Sequence, residues 1–140
     1  MRAAVAELSG WGPLRASSLW RSEPLGDPAQ GWYVNAVVEL ALGGDALACL
    51  ERLHGVERAF GRPAERARWA PRCLDLDLLL FADLALRSDR LELPHPGLAT
   101  RRFVLAPLCE LAPDLVPPGQ TRTVADLLAD LDDPLRVETL

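Results

Sequence analysis

The chain has 140 residues, 49% hydrophobic and 25% charged, a composition that fits one soluble globular domain and leaves little room for a second. No apolar run approaches the roughly 20 residues of a membrane helix, and Glu7 interrupts the opening stretch where a secretory signal would be continuously apolar. The net charge of −5 argues against a nucleic-acid partner, and all 15 basic residues are arginine, which excludes a Gly-Lys-Ser/Thr phosphate loop and a lysine Schiff base.

In chain order, residues 2–9 read as a helix closed by Ser9-Gly10 and Gly12-Pro13. Residues 14–21 read as a strand, and 22–31 as a Pro- and Gly-rich loop long enough to suggest binding. Residues 32–42, WYVNAVVELAL, form a β-branched and aromatic strand. After Gly43-Gly44 a helix is expected over 45–60, with Leu47, Leu50, Leu53, Val56 and Phe60 as its apolar stripe. An arginine-rich loop, 61–72, leads into a strand over 74–81. A short strand over 90–96 ends at prolines, and 99–111 is helical despite Pro107. A last helix spans 123–131, with Thr123 as its N-cap. This order predicts an α+β domain built on a largely antiparallel sheet.

Cys49, Cys73 and Cys109 are odd in number and form no CxxC pair, so reduced thiols in a cytoplasmic protein are expected, with no zinc site.

The chemistry concentrates in RCLDLDLLLF, residues 72–81. In a strand, residues two apart share a face, so Asp75 and Asp77 project side by side with about 6–7 Å between their Cα atoms. Leu74, Leu76, Leu78 and Leu80 then face a core. Ionised carboxylates are costly beside apolar surface unless they are paired or hold a cation. Mg²⁺ suits them, because it takes one or two carboxylates, several waters and substrate phosphates. Arg62, Arg66, Arg68 and Arg72 precede the pair and Arg90, Arg101 and Arg102 follow it; arginine forks match phosphate oxygens. The arrangement points to a magnesium-nucleotide site for phosphoryl transfer. An Asp–Arg ion-pair network on one sheet face is the alternative that residues alone leave open.

The run Arg68-Trp69-Ala70-Pro71-Arg72-Cys73-Leu74-Asp75-Leu76-Asp77-Leu78-Leu79 resembles the motif of the 6-hydroxymethyl-7,8-dihydropterin pyrophosphokinase family. SEPLG, WYVNAVVEL, FGRPAERARW, LPHP and TRRFVLAPLCELAPDLVPP extend the resemblance over roughly residues 2–130. It implies a ferredoxin-like α+β sandwich and transfer of pyrophosphate from ATP to the pterin hydroxymethyl group, with release of AMP in folate biosynthesis. By position, Asp75 and Asp77 resemble the ligands of two Mg²⁺ ions. Arg62 and Arg72 would contact phosphates, and Trp69 would close over the site. His54, Glu57, Arg90, His95 and Arg101 would bind ATP. Tyr33 and Phe103 resemble the aromatic pair that sandwiches the pterin, whose polar edge Ser22 and Asn35 would read beside Leu25.

Ala64, Thr100 and Arg102 depart from residues common in the family. Relatives open with an apolar strand and a Gly-Ser-Asn turn, whereas this chain begins within the helix that follows. The expectation is a single pterin pyrophosphokinase domain over 1–140, truncated at its N-terminus, monomeric and cytoplasmic, with small-molecule substrates and neither nucleic-acid nor membrane partners. The alternatives are a truncated, non-catalytic relative that binds nucleotide or a partner, and a glycosyltransferase that uses DxD for a metal–nucleotide sugar.

Overall fold

The computed structural model describes residues 1–24, 31–61 and 74–140. Its helices are α1 (Arg2–Ser9), α2 (Ala46–Ala59), α3 (Arg102–Leu111) and α4 (Val124–Ala129). Its strands are β1 (Leu14–Ala16), β2 (Trp20–Ser22), β3 (Tyr33–Asn35), β4 (Val38–Leu40), β5 (Leu86–Arg87), β6 (Glu92–Leu93) and β7 (Val137–Thr139). All recorded pairings are antiparallel: β1 with β4, β2 between β3 and β7, and β5 with β6. The α+β class and antiparallel pairing agree with the sequence, although among the described residues the pairing is divided among three short sheets.

The two strands expected over 14–21 and 32–42 each break in the middle, and they break together. Ala16 pairs with Val38 and Trp20 with Asn35, so three residues on one side face two on the other, as at a β-bulge. Ser17 and Ser18 supply the bonds across the break, the first a backbone bond from the Ser17 N–H to Val37 O at 2.9 Å. Ser17 Oγ accepts the Val37 N–H at 3.0 Å, while the Ser18 N–H and Oγ–H both donate to Glu110 of α3 at 2.8 Å.

In α2, Asp45 caps the start by accepting the Leu47 and Ala48 N–H groups at 2.9 and 3.0 Å. Gly44, at φ 106, makes the preceding turn in a conformation that favours glycine. This start leaves Leu47 37% exposed, so it lies outside the predicted stripe. The buried face is Ala46, Cys49, Leu53, Val56 and, unexpectedly, Glu57. Burial pushes the Cys49 thiol pKa up, as expected of an inert core cysteine.

The strand expected over 74–81 carries no strand ladder among the described residues. Its Leu76 N–H goes to the Glu57 side chain, and Leu79 O accepts the His95 N–H at 2.9 Å; isolated bonds of this kind do not form a ladder. The alternation nonetheless holds where it matters, with Leu74 buried, Leu76 half-buried, and Asp75 and Asp77 exposed. The apolar side chains of this segment reach every core cluster. Leu74 and Leu76 join Ala4 and Val56, and Leu78 and Phe81 join Leu8, Cys49 and Leu53. Leu79 and Leu80 join Leu98, Leu105, Leu108 and Val124 between α3 and α4. The segment is therefore held by its leucines to both halves of the core, which allows two carboxylates to stand on its remaining face.

Helix α3 starts at Arg102, three residues later than expected, because Arg101 is extended (φ −126, ψ 118). The expected strand over 90–96 contracts to β6. Thr123 caps α4 as predicted, in a reciprocal capping box with Asp126.

Candidate active site

The exposed face of residues 75–77 forms one wall of a cavity of about 400 Å³. Helix α2 contributes Leu50, His54 and Glu57, and the β5–β6 hairpin with the following turn contributes Ser88, Asp89, Arg90, Glu92 and His95. Thus Asp75, Asp77, His54, Glu57, Arg90 and His95, separate in sequence, surround one space.

The cavity is rich in carboxylates: Glu57, Asp75, Asp77, Asp89 and Glu92 line it together. Its one described guanidinium, Arg90, is engaged by Glu51 of α2 in an exposed ion pair. That pair ties the β5–β6 turn to the helix; it is not visible in the spacing, because the partners lie 39 residues apart. An anionic ligand reaches this lining at a large electrostatic cost unless it brings cations. Among the described residues no group of three or more His, Cys, Asp or Glu side chains is placed to hold a metal ion. The donor set here is two exposed carboxylates on one face, which fits Mg²⁺ with phosphate oxygens and water as its other ligands.

His95 has a defined orientation. Its Nδ1 accepts the Gly97 N–H at 3.0 Å, so a neutral His95 carries its proton on Nε2, as a donor. Gly97 serves a second purpose. A Cβ there would lie 2.7 Å from Arg101 Nε and 2.9 Å from its Cδ, so only glycine lets the Arg101 side chain lie across this turn.

Arg101 and Phe103 line a second cavity of about 290 Å³, closed by Asp132, Asp133, Pro134 and Leu135. The Arg101 guanidinium stands 5.9 Å from the centroid of the Phe103 ring. Asp133 accepts the Arg102 N–H at 2.8 Å, and the Arg102 side chain donates to Leu131 O at 2.7 Å. This C-terminal segment then enters β7, which pairs with β2 and which the sequence pattern did not reveal.

Ser22 and Asn35 lie next to each other across β2 and β3: Asn35 Nδ2 donates to Ser22 Oγ at 2.9 Å. Tyr33 is the register partner of Ser22 and is 50% exposed, in keeping with a stacking face more than a core aromatic. Neither cavity lining includes Tyr33, Ser22 or Asn35, so the expected aromatic pair is not joined in one described pocket. Leu25, Arg62, Trp69 and Arg72 lie outside the described residues. Ser88, Asp89 and Glu92 are the lining residues that sequence reading passed over. The turn-forming pair Ser88-Asp89 was the only signal available, and it also marks ordinary hairpins.

Comparison with known proteins decides the family. A family model described as 7,8-dihydro-6-hydroxymethylpterin-pyrophosphokinase (HPPK) matches residues 1–113. The chain belongs to this family. It is 39% identical over 135 residues to a 2-amino-4-hydroxy-6-hydroxymethyldihydropteridine pyrophosphokinase of Synechocystis, covering 94% of this chain and 68% of the relative. Proteins of the same name are 42% identical in Methylorubrum extorquens (116 residues; 83% of this chain, 72% of the relative) and 44% identical in Pseudomonas aeruginosa (114 residues; 81% and 68%). The HPPK match spans both cavities' helical and hairpin walls, while Asp132–Leu135 lie beyond it.

Proposed function

We propose that this chain is an ATP-dependent pyrophosphokinase acting on 6-hydroxymethyl-7,8-dihydropterin in folate biosynthesis. The pterin hydroxyl oxygen forms a bond to the β-phosphorus of ATP, the bond from that phosphorus to the α–β bridging oxygen breaks, and AMP leaves. The hydroxyl proton is released. The observation that carries this reading is the shared cavity of Asp75, Asp77, His54, Arg90 and His95 in a chain of this family.

Asp75 and Asp77 would hold magnesium, two ions in this reading, which supplies charge neutralisation to the triphosphate. His54 and Glu57 line the nucleotide side and His95 donates to phosphate oxygens through Nε2, while Arg101, which lines the second cavity, keeps the phosphate contact that the family resemblance gives it. Arg90, held by Glu51, sets the rim. Arg62, Arg72 and Trp69 keep the roles given by the family resemblance, two phosphate contacts and a closing side chain. Tyr33 and Phe103 stack the pterin, with Ser22, Asn35 and Leu25 at its edge. Because reaction here is mainly a matter of holding two substrates in line, positioning and charge compensation carry most of the rate. The net charge of −5 supports the absence of a nucleic-acid partner, and among the described residues no helix is long and apolar enough to cross a membrane. A cytoplasmic monomer completes the reading.

The test is Asp77→Ala. Removing an exposed carboxylate should abolish AMP release and leave the circular dichroism spectrum and melting temperature near those of the parent. Undiminished AMP release would overturn the metal assignment.

A further inference from the structure

Glu57 is 1% exposed, on the face of α2 that otherwise buries Ala46, Cys49, Leu53 and Val56. A buried carboxylate is costly, and an aliphatic residue would continue this stripe at no such cost. One of its polar contacts falls at the metal-binding segment: Glu57 Oε1 accepts the backbone N–H of Leu76 at 2.9 Å. Leu76 is the residue between Asp75 and Asp77. Residues two apart project to the same side, in a direction set by the backbone between them. Holding the Leu76 N–H therefore fixes the direction of both carboxylates at once, on a segment that has no strand ladder among the described residues to do so. The bond lies away from solvent, where a hydrogen bond is strong and directional whether or not its acceptor is charged.

We infer that Glu57 is a positioning residue, acting through the Leu76 N–H to aim Asp75 and Asp77 at a metal–nucleotide. This rests on the function proposed above. It assigns Glu57 a task separate from lining the nucleotide space, and one that depends on reach more than on charge.

Two conservative variants separate reach from charge. Glu57→Gln keeps the length and an acceptor oxygen; Glu57→Asp keeps the charge and retracts it by one methylene. The full chain is titrated with Mg²⁺ in the presence of α,β-methylene-ATP, a non-hydrolysable probe, and binding is followed by calorimetry. Pterin binding is measured separately. Glu57→Gln should need Mg²⁺ within about threefold of the parent, while Glu57→Asp should need roughly tenfold more, the effect of losing one buried hydrogen bond. Pterin affinity should stay unchanged in both.

Parent-like behaviour of Glu57→Asp overturns the inference. So does equal damage in Glu57→Gln, or an equal loss of pterin affinity, which would mark a general structural role. If Glu57→Asp does not fold, Glu57→Gln carries the test with amide exchange. Parent-like Mg²⁺ demand with the Leu76 amide still protected supports the inference, and a tenfold rise or loss of protection overturns it. Failure of the parent chain to bind the analogue in a Mg²⁺-dependent way would instead overturn the function on which the inference rests.

Discussion

Asn35 donates from Nδ2 to Ser22 Oγ at 2.9 Å, across neighbouring strands β3 and β2. The bond fixes which end of the Asn35 amide faces its serine neighbour and so which end remains for a ligand. Ser22 is buried and Asn35 half-buried, so neither side chain can be reoriented freely. Ser22→Ala should weaken pterin binding by roughly tenfold, about the worth of one hydrogen bond of an oriented amide. Affinity for the nucleotide analogue should not change. Titrating both ligands against the variant checks this; a loss confined to nucleotide would contradict the assignment of Ser22 and Asn35 to the pterin edge.

Gly97 and Arg101 give a second expectation. Gly97→Ala places a methyl group where the Arg101 side chain now lies, and Arg101 is the flexible partner that must move. Nucleotide affinity should fall by about fivefold to tenfold, consistent with losing a charged hydrogen bond to phosphate. Pterin affinity and melting temperature should hold nearly constant. Calorimetric titration with α,β-methylene-ATP reads the effect, and unchanged affinity would remove Arg101 from the phosphate contacts.

The start of α3 depends on a cap supplied from far along the chain. Arg101 makes no side-chain cap of its own, and Asp133 accepts the Arg102 N–H in its place. Asp133→Ala should cost about 1 kcal/mol, as cap removal does, and lower the melting temperature by roughly 3–5 °C. Calorimetric melting tests this.

Glu110 links folding to pH. The Ser18 backbone N–H, then its hydroxyl and the Trp20 indole N–H, hold the Glu110 carboxyl below its ordinary range. Its folded pKa is lowered, so its contribution is complete above the unfolded value near 4.5 and is lost as pH falls through the folded value. Glu110→Ala should destabilise the chain by roughly 1 kcal/mol at neutral pH, since the group is exposed and screened. The difference from the parent should shrink as the pH falls below the unfolded value near 4.5 and through the lower folded one. Denaturant melts across that range check the sign; a difference that grows towards acid would contradict it.

Much of this site was legible because its chemistry is local. The alternation of Leu74, Asp75, Leu76 and Asp77 gives their facing from strand geometry alone, and Thr123 announces the cap of α4. Features set by distant partners were not legible. Glu57 falls at a position that looks like the rim of an amphipathic stripe, and only the passage of Leu76 beside it makes it a core residue. Ser17 and Ser18 sit in a sequence with strand character, and the break there depends on Val37 and on Glu110, 92 residues away. Arg90 reads as an available cation until Glu51 is seen beside it. Strand β7 consists of Val137, Glu138 and Thr139, too short a run to show a period, and exists because β2 offers it an edge.

The measurement closest to the central claim is AMP release from Mg-ATP by the purified 140-residue chain, with and without 6-hydroxymethyl-7,8-dihydropterin. Release that requires the pterin, accompanied by one pterin diphosphate for each AMP, is the predicted result. A folded chain that binds Mg-ATP yet releases no AMP when the pterin is added would contradict the claim and favour a non-catalytic member of the family.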